Sequence, residues 1–510
     1  MFAKVSSVGL FGMNSYIVDV EADVSRGLPC FDIVGLPDAA VKEARDRVRS
    51  AIKNCGFKFP NGHITVNLAP ADLKKGGSHY DLPITIALLL ASGQIDVKTN
   101  NKAFIGELSL DGKLRAVNGA LAMAITAHDE KYNDIFLPDV NSKEAGVVDG
   151  INVFGAASLR DVLLHLNGVQ LIKKTEPDEI KEDSIFDVLD FCDVRGQAKA
   201  KRAIEVAAAG GHNLLLIGPP GSGKSMLAKR IPTILPEMTF DESIETTKIH
   251  SIAGVLDNKN PLITKRPFRA PHHTISAFGL TGGGAVPRPG EISLAHNGVL
   301  FLDELPEFGR TTMEGLRQPL EDGKVTISRV AGSLTYPSSI MLVAAMNPCP
   351  CGFFGHPTRS CTCSEKLVRN YLNRISGPML DRMDLHIEVP PVDFNSLNSE
   401  IKEETSAQIR ARVNAARKIQ TERYKGTGIT CNARLTPSML KEYCVMTEDA
   451  SEILKSAFDN LGMSARAYDR ILKVARTIAD LDGKNKIDML HIAQAIQFRS
   501  LDRKYWGTEE

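Results

Sequence analysis

Residues 214–225, LLLIGPPGSGKS, carry an apolar run into a glycine-rich turn that ends in Lys-Ser. The spacing Gly218-x-x-x-x-Gly223-Lys224-Ser225 is that of a phosphate cradle. Backbone N–H groups along Gly218, Pro219, Pro220, Gly221, Ser222 and Gly223, and at the start of the next helix, converge on phosphate oxygens. Lys224 adds a point charge and Ser225 a hydroxyl for Mg²⁺. Such chemistry needs a rigid mount. Leu214–Ile217 reads as a buried strand, and Met226–Ile231 as a helix stopped by Pro232.

A second apolar run, 298–304 (GVLFLDE), ends in two adjacent carboxylates. Parallel strands present ligand-binding groups at their carboxyl ends. Asp303 is therefore expected to hold Mg²⁺ and Glu304 to orient and deprotonate an attacking water. A third run, 340–347 (IMLVAAMN), ends in Asn347, whose amide can position that water or simply open the turn before Pro348. Together these residues predict ATP hydrolysis with Mg²⁺.

Four of the nine cysteines are clustered: Cys349-Pro-Cys351 and Cys361-Thr-Cys363. In extended chain, residues i and i+2 face one side, and Gly352, Gly355 and Pro357 allow the two pairs to meet. Four converging thiolates suit a structural Zn²⁺, with His356 an alternative ligand; a metal-free hairpin is the plain alternative. The other five cysteines are scattered and read as small buried hydrophobes.

At 510 residues the chain is too long for one core. Lys plus Arg equals Asp plus Glu at 61 each, which argues against coating nucleic acid through diffuse charge but leaves room for a local basic channel. No stretch reaches membrane-spanning length, so a cytoplasmic protein without a membrane partner is expected. Residues 1–168 alternate strand-like runs (64–68, 103–108) with helical ones (38–55, 82–91). Residues 169–187 read as a charged linker, 188–392 as the nucleotide-binding unit and 393–510 as helical.

The whole chain resembles the ComM/YifB group of magnesium-chelatase-like AAA+ ATPases. The likeness rests on residues 21–37 (EADVSRGLPCFDIVGLP), 193–197 (DVRGQ), both ATP motifs, the four cysteines and 464–466 (SAR). It implies an α/β fold: an AAA+ P-loop ATPase core with a helical lid, preceded by a Lon-protease-like, ribosomal S5-like α+β domain. By the same resemblance Asn347 is the first sensor, Arg382 an arginine finger reaching a neighbouring subunit, and Arg466 a second sensor on the lid. A homo-hexamer follows, with sites at subunit interfaces. Two insertions are implied to point into the ring's pore, one over about 268–297 and one over 324–336. Arg269 and Arg288 in the first, and Lys324 and Arg329 in the second, are the expected DNA contacts, gripping backbone phosphates without reading bases. The two histidines of the first insertion, His272 and His273, read as core or interface residues.

Where Lon-type proteolysis needs a lysine to activate its serine, this chain has Met123, and Ser78 does not fall in register; a dyad of Ser78 with Lys74 or Lys75 is the remaining alternative. The resemblance thus implies an ATP-driven DNA motor, a helicase promoting branch migration when DNA is integrated during natural transformation. The alternatives are a motor subunit of a porphyrin metal-insertion chelatase and, further off, an ATP-dependent protease.

Overall fold

Alternation of buried and more exposed residues is clearest in the strand His63–Ala69 of the amino-terminal sheet, whereas the strand Asp134–Pro138 is buried along most of its length. β1 (Phe2–Phe11) turns at Gly12, whose φ of +64° suits glycine, and pairs antiparallel with β2 (Asn14–Ser25) along its whole length. β3 (Cys30–Val34), β4 (His63–Ala69), β5 (Lys102–Phe104), β6 (Asp134–Pro138) and β7 (Asn152–Ala156) complete a seven-stranded mixed sheet of order β3-β4-β2-β1-β5-β6-β7. Helices α1 (Ala39–Asn54) and α2 (Asp81–Ala91) cover one face and bury Val41, Val48, Leu82 and Ile86 against Val18, Val20, Ile64 and Val66. Both helices fall where the sequence puts them, and Asp38 caps α1 by accepting from the Val41 N–H. The expected strand over 103–108 is interrupted. The Gly106 N–H bonds the His79 carbonyl and its own carbonyl accepts from Leu82, so the chain leaves the ladder to bind the start of α2.

This computed structural model describes all residues except 177–188, 258–259, 285–286, 330–331, 392–402, 462 and 507–510. Most of the predicted linker lies outside the described residues. Its first part stays with the amino-terminal sheet, the Thr175 N–H bonding the Val153 carbonyl at 2.9 Å.

The second sheet is parallel throughout. β8 (Leu214–Ile217), β9 (Phe268–Arg269), β10 (Val299–Leu302), β13 (Met341–Met346) and β14 (Leu385–Glu388) lie in the order β9-β10-β13-β8-β14. Every residue of β8, β10 and β13 is buried, as expected for a sheet covered on both faces. β11 (Lys324–Arg329) and β12 (Gly332–Pro337) form the predicted hairpin outside this sheet. Its inner face, Val325, Ile327, Leu334 and Tyr336, is buried, while Thr326 and Ser328 are exposed. Leu334 abuts the β1–β2 turn at Gly12, so the hairpin touches the amino-terminal domain.

The carboxyl-terminal helices share one apolar core with the sheet, Val413, Ile471 and Ile478 joining Ile204, Leu216 and Leu385, and a polar cluster ties those helices to one another. Asp480 on the helix Ala465–Leu481 takes a bidentate bond from Arg423 (2.6 and 2.9 Å) and another from Asn432, beside the fully buried Arg476. The last helix, Leu501–Trp506, returns to β14, where Lys504 meets Glu388 at 2.7 Å. The amino-terminal domain docks through buried Glu144, which accepts from the Leu121 N–H and from Ser251 of the helix Phe240–Ala253. Among the described residues no helix is long and apolar enough to cross a membrane.

Candidate active site

The carboxyl ends of β8, β10 and β13 bring Lys224, Ser225, Asp303, Glu304 and Asn347 together. Gly218 lies so close to the Val389 carbonyl that no side chain fits. Gly221 and Gly223 take φ of +76° and +92°, which lets the loop wrap back on itself. Lys224 Nζ spans the cradle, donating to the carbonyls of Gly218 (2.8 Å) and Pro219 (2.9 Å) and to Asn347 Oδ1 (3.2 Å). Burial pushes its pKa below the usual lysine value, against the pull of nearby Asp303. Ser225 Oγ donates to Asp303 Oδ2 at 2.6 Å, so the hydroxyl and carboxylate that would share Mg²⁺ already face each other. Ser222 Oγ is buried without a partner among the described residues, an unmet hydrogen bond that a phosphate oxygen would meet. The residues present fit ATP and Mg²⁺.

Glu304 stands at φ +53°, the left-handed region that non-glycine residues seldom occupy, and its N–H bonds Asp303 Oδ1 at 2.9 Å. That conformation ends the strand abruptly and leaves the carboxylate about half exposed beside the cradle. One of its oxygens lies 3.2 Å from His273 Nδ1. The 193–197 segment wraps the same loop from behind: Gln197 donates to the Pro390 carbonyl at 2.6 Å, and Arg230 binds the Asp190 carbonyl and Asp193.

The four cysteines converge beside the cradle. Sγ separations among Cys349, Cys351 and Cys361 are 3.3–3.7 Å, and Cys363 lies within 4.8 Å of the others. A tetrahedron of thiolates around zinc has edges of about 3.8 Å. Burial opposes the Cys351 thiolate, yet the N–H groups of Phe353 and Thr362 and the neighbouring thiols draw it down to about 5. The Phe354 N–H also bonds Cys349 Sγ at 3.3 Å. The donor set fits a structural zinc. His356 is turned to its own loop, taking N–H groups from Thr358 and Arg359, so the alternative ligand falls away. Gly352 presses against the ring of Pro220, which joins this cluster physically to the phosphate loop.

Several expected placements differ. Arg269 does not stand in an insertion: it is on β9, the sheet's edge strand, and Glu291 holds its guanidinium at 2.6 and 2.7 Å. That bidentate clamp closes the base of the insertion rather than offering a cation to phosphate. Arg288 is exposed on a short hairpin paired with Gly283, Lys324 stands at the foot of β11, and Arg329 ends that strand opposite Gly332. The hairpin tip at 330–331 lies outside the described residues.

Arg382 does not project outward. It is 9% exposed, pairs with Glu321 and donates to the Pro378 carbonyl at 2.6 Å. Burial lowers its pKa, helped by the charges of Arg317, Arg470 and Arg466. Arg466 is itself well exposed, 3.8 Å from Asp381, so the two arginines expected to act as finger and second sensor share one edge of the protein. Ser78 donates to Glu107, whereas buried Lys75 donates to the Leu73 carbonyl at 2.8 Å, and Met123 lies in a separate core with Val8, Ala103 and Ile105. The structure does not pair Ser78 with either lysine.

One cluster escaped the sequence reading. Cys30, Asp32 and His63 gather on the exposed edge of the first sheet, where β3 and β4 pair Cys30 with His63. Their nearness depends on strand register, and the Cys-x-Asp alternation is its sole trace in sequence.

Comparison with known proteins agrees with this geometry. Family models described as magnesium chelatase, subunit ChlI, match residues 190–397; subunit ChlI of Mg-chelatase, 20–141; and the subunit ChlI C-terminal region, 403–499. The chain is 46% identical to "Competence protein ComM" of Haemophilus influenzae, over 98% of each chain, and 44% identical to "Uncharacterized protein YifB" of Escherichia coli, over 96% of each. A stretch of 149 residues is 30% identical to "Lon protease 2" of Bacillus subtilis, covering 26% of each chain. An ATP cradle at the carboxyl ends of this five-stranded sheet, with end-to-end likeness to those two relatives, places the chain in the ComM/YifB family of magnesium-chelatase-like AAA+ ATPases.

Proposed function

We propose that the chain is an ATP-driven DNA motor that works as a hexameric ring, a helicase that promotes branch migration while incoming DNA is integrated in natural transformation. The observation that carries this reading is the ATP site joined to two hairpins that lie outside its sheet. Tyr336 of the second insertion donates to the Pro287 carbonyl of the first at 3.1 Å, and the first leads from β9 past Glu304. The relative named as a competence protein supports the biological setting.

In this reading Lys224 and the loop N–H groups hold the β and γ phosphates, and Ser225 and Asp303 hold Mg²⁺, which offsets charge on the transferring group. Glu304 takes the proton of the attacking water while Asn347 orients it. Arg382, released from Glu321, and Arg466 form one cationic edge that completes a neighbour's site. Change at that edge moves the hairpins, and with them the strand held by Arg288, Lys324 and Arg329. The chelatase-motor alternative draws on the names of the family models; the amino-terminal Lon-like domain and the cysteine cluster stand against it, and the relative named as a competence protein favours the DNA reading.

The test is ATP turnover with and without forked DNA, where stimulation is expected and its absence with every DNA form would remove the reading. Arg329→Ala is expected to weaken DNA binding and flatten its salt dependence, by about one unit of slope for each phosphate the side chain neutralises. Fluorescence anisotropy across a salt series reads this, and an unchanged slope would take Arg329 out of the pore. For the cysteines, one zinc per chain is expected by elemental analysis. Cys361→Ser should abolish it and lower the melting temperature by several degrees, on the order of 5 °C.

A further inference from the structure

Exposed side chains of different chemistry have no packing reason to converge, yet three do so at the outer edge of the first sheet. Cys30 and Asp32 lie two residues apart on β3 and face solvent together, while Phe31 and Ile33 turn inward to the core. The parallel register sets His63 of β4 directly beside Cys30. Cys30 Sγ lies 3.2 Å from Asp32 Oδ2, and His63 Nε2 lies 3.6 Å from the same oxygen. A sulfur, an imidazole nitrogen and a carboxylate oxygen thus fall within 4.8 Å of one another. Ligands about 2.0–2.3 Å from a tetrahedral zinc stand roughly 3.3–3.8 Å apart, so two of these separations need almost no adjustment.

The backbone beneath the cluster is fixed. The Cys30 N–H bonds the Gly62 carbonyl at 3.2 Å, and the Ser25 hydroxyl donates to the His63 carbonyl at 3.2 Å. Gly62, at φ +128°, presses so close to the Ser25 carbonyl that no side chain fits there. His63 is therefore seated between its two neighbouring strands, β2 and β3. Its other ring nitrogen, Nδ1, lies 3.5 Å from the Thr65 hydroxyl. That hydroxyl can accept the Nδ1 proton and leave the Nε2 lone pair for a metal.

The donor set decides the kind of ion. A thiolate and an imidazole select zinc-like transition cations, whereas Mg²⁺ and Ca²⁺ prefer oxygen alone. Three protein ligands leave the fourth corner to water, and all three are exposed, so that corner stays open to solvent. The four-cysteine cluster differs in having a complete set of its own.

We propose that Cys30, Asp32 and His63 form a second metal site, open to solvent and exchangeable, that takes a zinc-class divalent cation. The inference is independent of the motor reading, since the nucleotide site belongs to the other sheet. Binding releases the thiol proton to solvent and makes three bonds, from Cys30 Sγ, Asp32 Oδ2 and His63 Nε2. The ion then ties β3, the edge strand, to β4 in addition to the backbone ladder.

The experiment titrates Co²⁺, a coloured substitute for zinc, into the full-length zinc-loaded protein freed of loosely held metal. One Co²⁺ per chain is expected, with a near-ultraviolet thiolate-to-cobalt charge-transfer band that Zn²⁺ removes and millimolar Mg²⁺ does not. Cys30→Ser should abolish the band. His63→Ala should weaken binding by at least roughly tenfold, since loss of even a supporting group costs that much. Both positions are exposed, so the melting temperatures of the variants should match that of the wild type. A protein that shows no charge-transfer band with Co²⁺ overturns the inference. So does a band that Cys30→Ser leaves in place, because the metal would then sit on other cysteines. An affinity that His63→Ala does not change overturns it as well, because a lone thiolate would then hold the ion.

Discussion

Glu304→Gln is expected to cut ATP turnover by roughly a hundredfold or more while ATP affinity is retained. The amide is isosteric with the carboxylate and tolerates the same left-handed backbone. It cannot accept the proton of water. Binding survives because the phosphates are held elsewhere, by Lys224 and the loop N–H groups, and Mg²⁺ by Ser225 and Asp303. Turnover under saturating ATP beside a nucleotide titration separates the two effects. A variant within about threefold of wild type would mean that another group takes the proton, and Glu304 would lose its role.

Lys224→Ala should act on the other half of the same event. Two charge-assisted bonds to phosphate oxygens account for roughly a hundredfold or more in affinity. The lysine also straps the loop across Gly218, Pro219 and Asn347, so its removal loosens the cradle and frees the Asn347 amide. ATP should therefore raise the melting temperature of the wild type and leave that of the variant where it was. Equal affinities in a titration would refute the cradle.

How much of this was legible in sequence follows from how local each feature is. The phosphate loop, the strand-end carboxylates and the paired cysteines are contiguous motifs, and their geometry is what their spacing implies. α1 and α2 are readable because a capping Asp38 and dense apolar runs act within one element. The interactions that correct the reading join residues far apart in the chain. Arg269 finds Glu291 because β9 lies at the sheet edge, and Arg382 finds Glu321 because the segment before β14 packs beside the helix that precedes β11. His273 meets Glu304 because β9 and β10 are parallel neighbours, a pairing that no periodicity announces. A charged side chain read from sequence looks free; tertiary packing decides whether an opposite charge already occupies it.

The contact between Gly352 and Pro220 gives the cysteine loop leverage over the nucleotide. Only Pro348 separates Asn347 from Cys349, and Gly352 leans on the phosphate strap, so thiol chemistry there cannot stay local. An oxidant that joined two of these sulfurs would shift Asn347 and the cradle wall together, leaving a folded protein with an idle nucleotide site. Exposure to peroxide would then register as lost ATP turnover well before any drop in solubility.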